Sequence, residues 1–141
     1  MTPGLADFAG RWRLVRVIQD RRAGQEGRFE GEAAFTAEGA VLRYREAGWL
    51  RLGDGAPLAA ERRQVWRAEG HRIAVDHADG RAFHAFDPAA PAARHDCPPD
   101  IYRVRYDFAA WPLWTAEWEV AGPRKDYSLR ALYAPLAPAA G

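Results

Sequence analysis

The sequence predicts an all-β protein, a single antiparallel up-and-down barrel of about 8–10 strands. Three observations lead there. Apolar residues recur with a period of two along most of the chain, and no stretch shows a helical period. Turn-forming residues break the pattern at spacings of about ten to fifteen residues, so consecutive strands are joined by hairpin-length links. Closing such a meander removes the exposed edges that an open sheet would have to protect. The 141 residues support one domain, 1–141. The barrel is expected over about 8–134, with flexible N-terminal residues and a flexible tail at 135–141.

The first strand is read from Gly10 to Ile18, with Trp12, Leu14, Arg16 and Ile18 on one face. A Gly- and Arg-rich turn, Asp20–Gly27, leads to Arg28–Thr36. Glu38-Gly39 turns the chain into Val41–Leu50, where Leu42, Tyr44 and Glu46 share a face. After Gly53-Asp54-Gly55 comes Leu58–Ala68, with Arg62, Gln64 and Trp66 in phase. His71–Asp76 and Arg81–Phe86 flank Asp79-Gly80, a strong hairpin signal. Asp87–Asp100 holds Pro88, Pro91, Pro98 and Pro99 and is expected to be irregular. Strands resume at Ile101–Phe108, Trp114–Val120 and Asp126–Tyr133.

Composition removes several classes of function. Twenty basic residues face 19 acidic ones, a formal charge of +1, which speaks against a phosphate-backbone binder and a nucleic-acid partner. The basic set is 19 Arg and one Lys, Lys125, a bias that GC-rich coding mainly explains, with guanidinium chemistry as the remainder. Arg21-Arg22 and Arg62-Arg63 are too short for basic patches. A single Cys97 excludes an internal disulfide. Met1–Gly10 lacks the pattern of a secretory signal. The uncharged stretches Phe108–Ala116 and Ala131–Gly141 fall short of the ~20 residues of a spanning helix. A cytoplasmic protein with no membrane partner is expected.

The chemistry-bearing anomaly is polar residues in phase with the large apolar ones. Arg16, Glu46 and Arg62 share faces with Trp12, Tyr44 and Trp66. Buried charge is costly unless paired. Either these residues form a closed network that fixes the core, or a spare guanidinium meets an anionic or carbonyl-bearing ligand. Tyr102, Tyr106, Trp118 and Tyr127 would line the same interior, as aromatic walls with polar tips do in small-ligand cavities. His84 joins them as a polar inward candidate.

Two further clusters stand out. His84, His95, Cys97 and Asp100 pair a base with a thiol near the expected loop, at no known nucleophile spacing. Four His and one Cys without paired spacing make no metal site, and none is expected. The turn Gly122-Pro123-Arg124-Lys125-Asp126-Tyr127 presents Lys125 as a ligand-facing cation, a Schiff-base amine or a solvated turn residue.

Gly10-Arg11-Trp12 at the first strand and Arg130 in the last resemble the calycin superfamily of lipocalin-like barrels. That resemblance implies an indole plugging the narrow end, with the arginine packed across it. A fuller resemblance, from Gly10 to Tyr133, is to small bacterial and fungal proteins known only as a domain of unknown function. It rests on Gly10, Trp12, Arg16, Ile18 and Asp20, and on Leu42, Tyr44, Glu46 and Gly48. Arg62, Trp66, Asp79-Gly80-Arg81, Phe83-His84 and His95-Asp96-Cys97 continue it. Asp100, Tyr102, Tyr106, Trp118 and Gly122–Tyr127 complete it. It implies no activity. Nitrobindin-like barrels hold haem through a late His, and here no His follows His95, so no cofactor is expected. Fatty-acid-binding barrels, which clamp a carboxylate with interior Arg and Tyr, agree in outline.

Three functions compete. The first is a barrel holding a small-molecule ligand, partly anionic, aromatic or apolar, through Arg16, Tyr44, Glu46, Arg62, Trp66, His84, Tyr102, Tyr106, Trp118, Lys125 and Tyr127. The second is an isomerase, lyase or hydrolase using His84, His95, Tyr106 and Glu46 as acid–base groups. The third is an interaction module with a filled core and an exposed aromatic patch at Trp111 and Trp114, compatible with a homodimer.

Overall fold

A computed structural model describes residues 2–136. It is all-β, ten antiparallel strands in one nearly closed barrel-shaped sheet. The strands are β1 (Gly10–Asp20), β2 (Gln25–Glu38), β3 (Val41–Leu52), β4 (Leu58–Glu69) and β5 (Arg72–His77). They continue with β6 (Ala82–Phe86), β7 (Ala92–Cys97), β8 (Asp100–Asp107), β9 (Trp114–Ala121) and β10 (Asp126–Pro135). Every strand pairs with its sequence neighbours except across one seam. The order runs from β6 back through β1, then from β10 to β7, so β6 and β7 are the two edges. Two-residue alternation produces this directly, because each hairpin keeps the apolar set on one side of the sheet.

The barrel has a plugged end and an open end. A 3-10 turn, Leu5–Phe8, precedes β1 and drives Phe8 into the core, fully buried. The Phe8 ring lies 5.1–5.7 Å from those of Phe35, Trp66, Phe108, Trp111 and Trp114. Trp12 is buried beside it and donates its indole N–H to the Phe8 carbonyl at 2.9 Å. Gly10 supports this entry with a φ of 125°, which a side chain would disfavour. At the other end the inward-phase residues Leu52 and Leu58 are exposed.

Several expectations are corrected. The 87–100 stretch is not wholly irregular: Pro91 and Pro98 bracket β7 without interrupting it, and proline is tolerated at the margins of an edge strand. The second strand begins at Gln25, inside the expected turn. The last runs to Pro135, and Leu136 donates its backbone N–H to Arg11 at 3.0 Å. The tail expected to be flexible otherwise lies outside the described residues. The N-terminal residues contribute the plug. Arg130 does not cross Trp12; it points outward, 3.5 Å from Glu117. Among the described residues no helix is long and apolar enough to cross a membrane.

Most arginines stand on the outer face, in pairs such as Arg11–Glu32 and Arg45–Glu61. Exposed pairs of this kind contribute little, because water and salt screen them. A concavity of about 890 Å³ also lies outside, over β7–β10 and β1. Its charged walls are exposed side chains, and Arg130 and Glu117 answer each other there. The inner face carries the unusual chemistry.

Candidate functional site

Three inward strand positions from β1, β3 and β4 converge on one carboxylate. Arg16 approaches Glu46 with two parallel bonds, Nη1 to Oε2 at 2.6 Å and Nη2 to Oε1 at 2.9 Å. The Tyr44 hydroxyl donates to Oε1 at 2.6 Å, and Arg62 Nη2 reaches the same oxygen at 3.1 Å. Since Tyr44 gives its proton to Glu46, the Tyr133 hydroxyl, 2.9 Å away, donates to Tyr44. The Arg16 guanidinium also sits 5.4 Å over the Phe29 ring. Burial pushes the Glu46 carboxyl up, but the Arg16 hydrogen bond, both guanidinium charges and Tyr44 outweigh it and hold it at about 2. Arg16 is buried and held charged against its own burial by Glu46.

The two arginines that share this carboxylate are engaged to different degrees. Arg16 is spent on Glu46. Arg62 makes one bond to Glu46 and keeps 45% of its side-chain surface exposed. Two guanidiniums share one carboxylate, so the network carries a formal surplus of +1.

Below Arg62 the barrel is filled by rings, leaving a void of about 20 Å³. Its lining includes Arg16, Arg62, Gln64, His84 and Trp114, and no carboxylate. Tyr106 OH lies 2.7 Å from His84 Nε2. Burial, then the positive fields of His95, Arg62 and His77, pushes His84 down to about 3, so it is neutral. A neutral imidazole that far below ordinary pH is a weak base. Burial pushes the Tyr44, Tyr106 and Tyr133 hydroxyls up, so all three remain protonated donors.

The mouth above has two sides. On one, Ile18 and Leu52 close over Gly27, where an added Cβ would meet them at 3.3 and 2.9 Å. Leu50 and Leu58 pair beside them. On the other, Phe83 stacks on Trp118 at 5.1 Å across the seam, with interplanar angle 8°. His77 stacks on Phe83 at 4.7 Å, and His95 and Tyr102 meet it edge-on at 5.3 and 6.1 Å.

The predicted residues divide accordingly. Arg16, Tyr44, Glu46, Trp66, His84 and Tyr106 lie in the lower barrel; Arg62, Tyr102 and Trp118 border the mouth. Tyr127 is half-buried in phase with them. Lys125 is at the rim, 2.9 Å from Tyr102 OH and 3.1 Å from Asp100. Those two contacts hold its ammonium above the ordinary lysine range, which favours the charged form over a free amine. His95 and Cys97 lie on β7, with Cys97 exposed and free. Among the described residues no three His, Cys, Asp or Glu side chains gather to hold a metal ion. The exposed aromatic patch is also corrected: Trp114 is buried and Trp111 packs on Phe8 and Trp12.

Sequence reasoning missed Tyr133, Leu52, Leu58 and Phe83 as site residues. Tyr133 was legible in principle, in phase with Tyr127, Leu129 and Ala131 on the last strand. Phe83 was not, because the β5–β6 register shifts between Val75 and Asp76 and breaks the alternation.

Comparison with known proteins adds a family and no activity. The profile of a family described only as a family of unknown function (DUF6314) matches residues 8–135. No curated protein matches the chain.

Proposed function

We propose a function for a chain that belongs to the DUF6314 family, a family of unknown function: its open barrel end binds a small organic anion with an apolar or aromatic body. The observation that carries this reading is Arg62, a half-exposed inward guanidinium with a single engaged donor, in a network with one carboxylate for two arginines. Anionic groups with two oxygens fit such a fork. The body of the ligand rests between Leu52 and Leu58 on one side and the Phe83–Trp118 stack on the other.

The filled lower barrel limits the guest to the mouth, so the ligand is small. A calycin-like reading of the barrel belongs with this proposal, since up-and-down barrels with one closed end bind at the other. Arg16 supports the site by holding Glu46, which in turn aims Arg62.

A panel of aliphatic and aromatic carboxylates, followed by native mass spectrometry and tryptophan emission, tests the proposal. The wild-type chain is expected to bind at least one member, and Arg62→Met to weaken it by about tenfold or more, a loss of ~1.4 kcal/mol. Arg62→Lys retains the charge without the fork and falls between. Absence of any adduct or emission change across the panel, or unaltered affinity in Arg62→Met, overturns it.

A further inference from the structure

The void beneath Arg62 carries a chemistry that an organic anion at the mouth does not use. Two buried ring nitrogens, Nδ1 of His84 and Nε1 of Trp114, have no hydrogen-bond partner among the described residues. Both residues line the same void. Buried polar atoms in folded proteins are nearly always paired with protein or ordered water, so two orphans on one small space mark where a small hydrogen-bonding guest sits.

The sign of that guest follows from the donors. Trp114 Nε1 can only donate. His84 Nε2 and the Tyr106 hydroxyl stand 2.7 Å apart; with the phenol as donor, the one proton of the neutral imidazole sits on Nδ1 and makes that atom a donor too. Gln64 accepts the Trp66 indole N–H through its oxygen at 3.3 Å, leaving its amide N–H groups free. Arg16 and Arg62 line the void, and with Glu46 bonded to both they leave it a net positive charge of one. The remaining acceptors there are phenolic oxygens. The lining offers a cation few acceptors, and the small void favours a compact anion over a larger one.

We infer that the void is a binding site for a single monatomic anion of the halide class, held by Nδ1–H of His84 and Nε1–H of Trp114 under the field of the two arginines. The volume of about 20 Å³ admits one atom of that size. This inference shares the surplus charge with the mouth reading but rests on different donors, so either can fail alone.

Bromide is the probe. Crystals grown or soaked in sodium bromide are expected to show an anomalous peak within hydrogen-bond reach of both His84 Nδ1 and Trp114 Nε1. In solution, bromide at constant ionic strength, balanced with sodium sulfate, should quench a saturable fraction of tryptophan emission in addition to the linear collisional part from exposed Trp49. Trp114→Phe is expected to lose the saturable part while leaving carboxylate binding at the mouth within about twofold of wild type. A void holding only water, or bromide found solely on surface arginines, overturns the inference, and so does purely linear quenching. The wild-type anomalous map decides the matter even if Trp114→Phe fails to fold. Bromide bound in the void with no carboxylate bound at the mouth would overturn the mouth reading alone.

Discussion

Arg16 on β1 and Glu46 on β3 form a two-bond pair, at 2.6 and 2.9 Å, although β2 lies between their strands. The guanidinium reaches across the inner face of β2 from the row of Phe29 to that of Ala33, and the residue between them is Gly31. A pair so placed ties three strands together through one carboxylate, which Tyr44 and Arg62 also share.

Breaking that pair from one side should be severe. Arg16→Met leaves Glu46 buried with Tyr44 and Arg62 alone, and Glu46→Leu leaves a buried guanidinium unpaired. Each single change is expected to cost about 3–5 kcal/mol in urea unfolding. The double variant should cost less than the sum, because neither charge is then left behind. A loss below about 1 kcal/mol for both single variants would show the pair to be open to solvent.

Acid should destabilise the fold in two limbs. The His84 side chain is held at about 3 in the folded chain against an ordinary 6.5, so the unfolded chain binds the extra proton between those values. Stability is therefore predicted to fall as pH drops from about 6.5 toward 3, with His77 adding to the same limb. Glu46 moves from 4.5 to about 2, so its contribution is complete above the upper value and is lost between the two. Urea midpoints measured from pH 7.5 to 3 check this. His84→Gln should flatten the upper limb and Glu46→Gln the lower. An unchanged upper limb in His84→Gln would remove His84 as its source.

Gly31 and Gly48 oppose each other in the β2–β3 ladder, and a Cβ on Gly31 would stand 2.2 Å from the Ala47 carbonyl oxygen. Backbone cannot step aside as a side chain can. Gly31→Ala is expected to cost about 2–3 kcal/mol or more, through forced separation of the two strands. Gly27→Ala is the control, since its new Cβ would meet only the movable side chains of Leu52 and Ile18. Thermal unfolding of the two variants side by side tests the contrast, and equal losses would mean that the strands have room.

The fold was legible because strand alternation and turn chemistry are local, and here they agree. Trp12, Leu14 and Arg16 share a face for the same reason that Leu42, Tyr44 and Glu46 do. Their convergence was not legible. That Arg16 would close on Glu46 while Arg62 stayed open depends on register across three ladders, which no single strand encodes. The plug escaped notice because Phe8 lies outside any strand and is placed by a single 3-10 turn. β7 escaped because prolines were counted across the segment, when only their positions at its two margins decide whether a strand fits between them.

Lys125 offers the sharpest separation of binding from covalent chemistry. It is the only lysine of the chain, so amine labelling there is unambiguous apart from the N-terminus. An imine-forming lysine needs its free amine near neutral pH, which burial or a neighbouring cation supplies. The surroundings of Lys125 act the other way: Tyr102 and Asp100 both favour the ammonium, and the side chain is not enclosed. Borohydride treatment with a small aldehyde or keto acid at pH 7 should therefore leave Lys125 unmodified, as read by intact-mass and peptide analysis. Asp100→Asn should lower its pKa toward the ordinary lysine value and raise its slow labelling by an amine-reactive ester. Efficient reductive trapping at Lys125 in the wild-type chain would overturn this assignment and return the rim of the barrel to covalent chemistry.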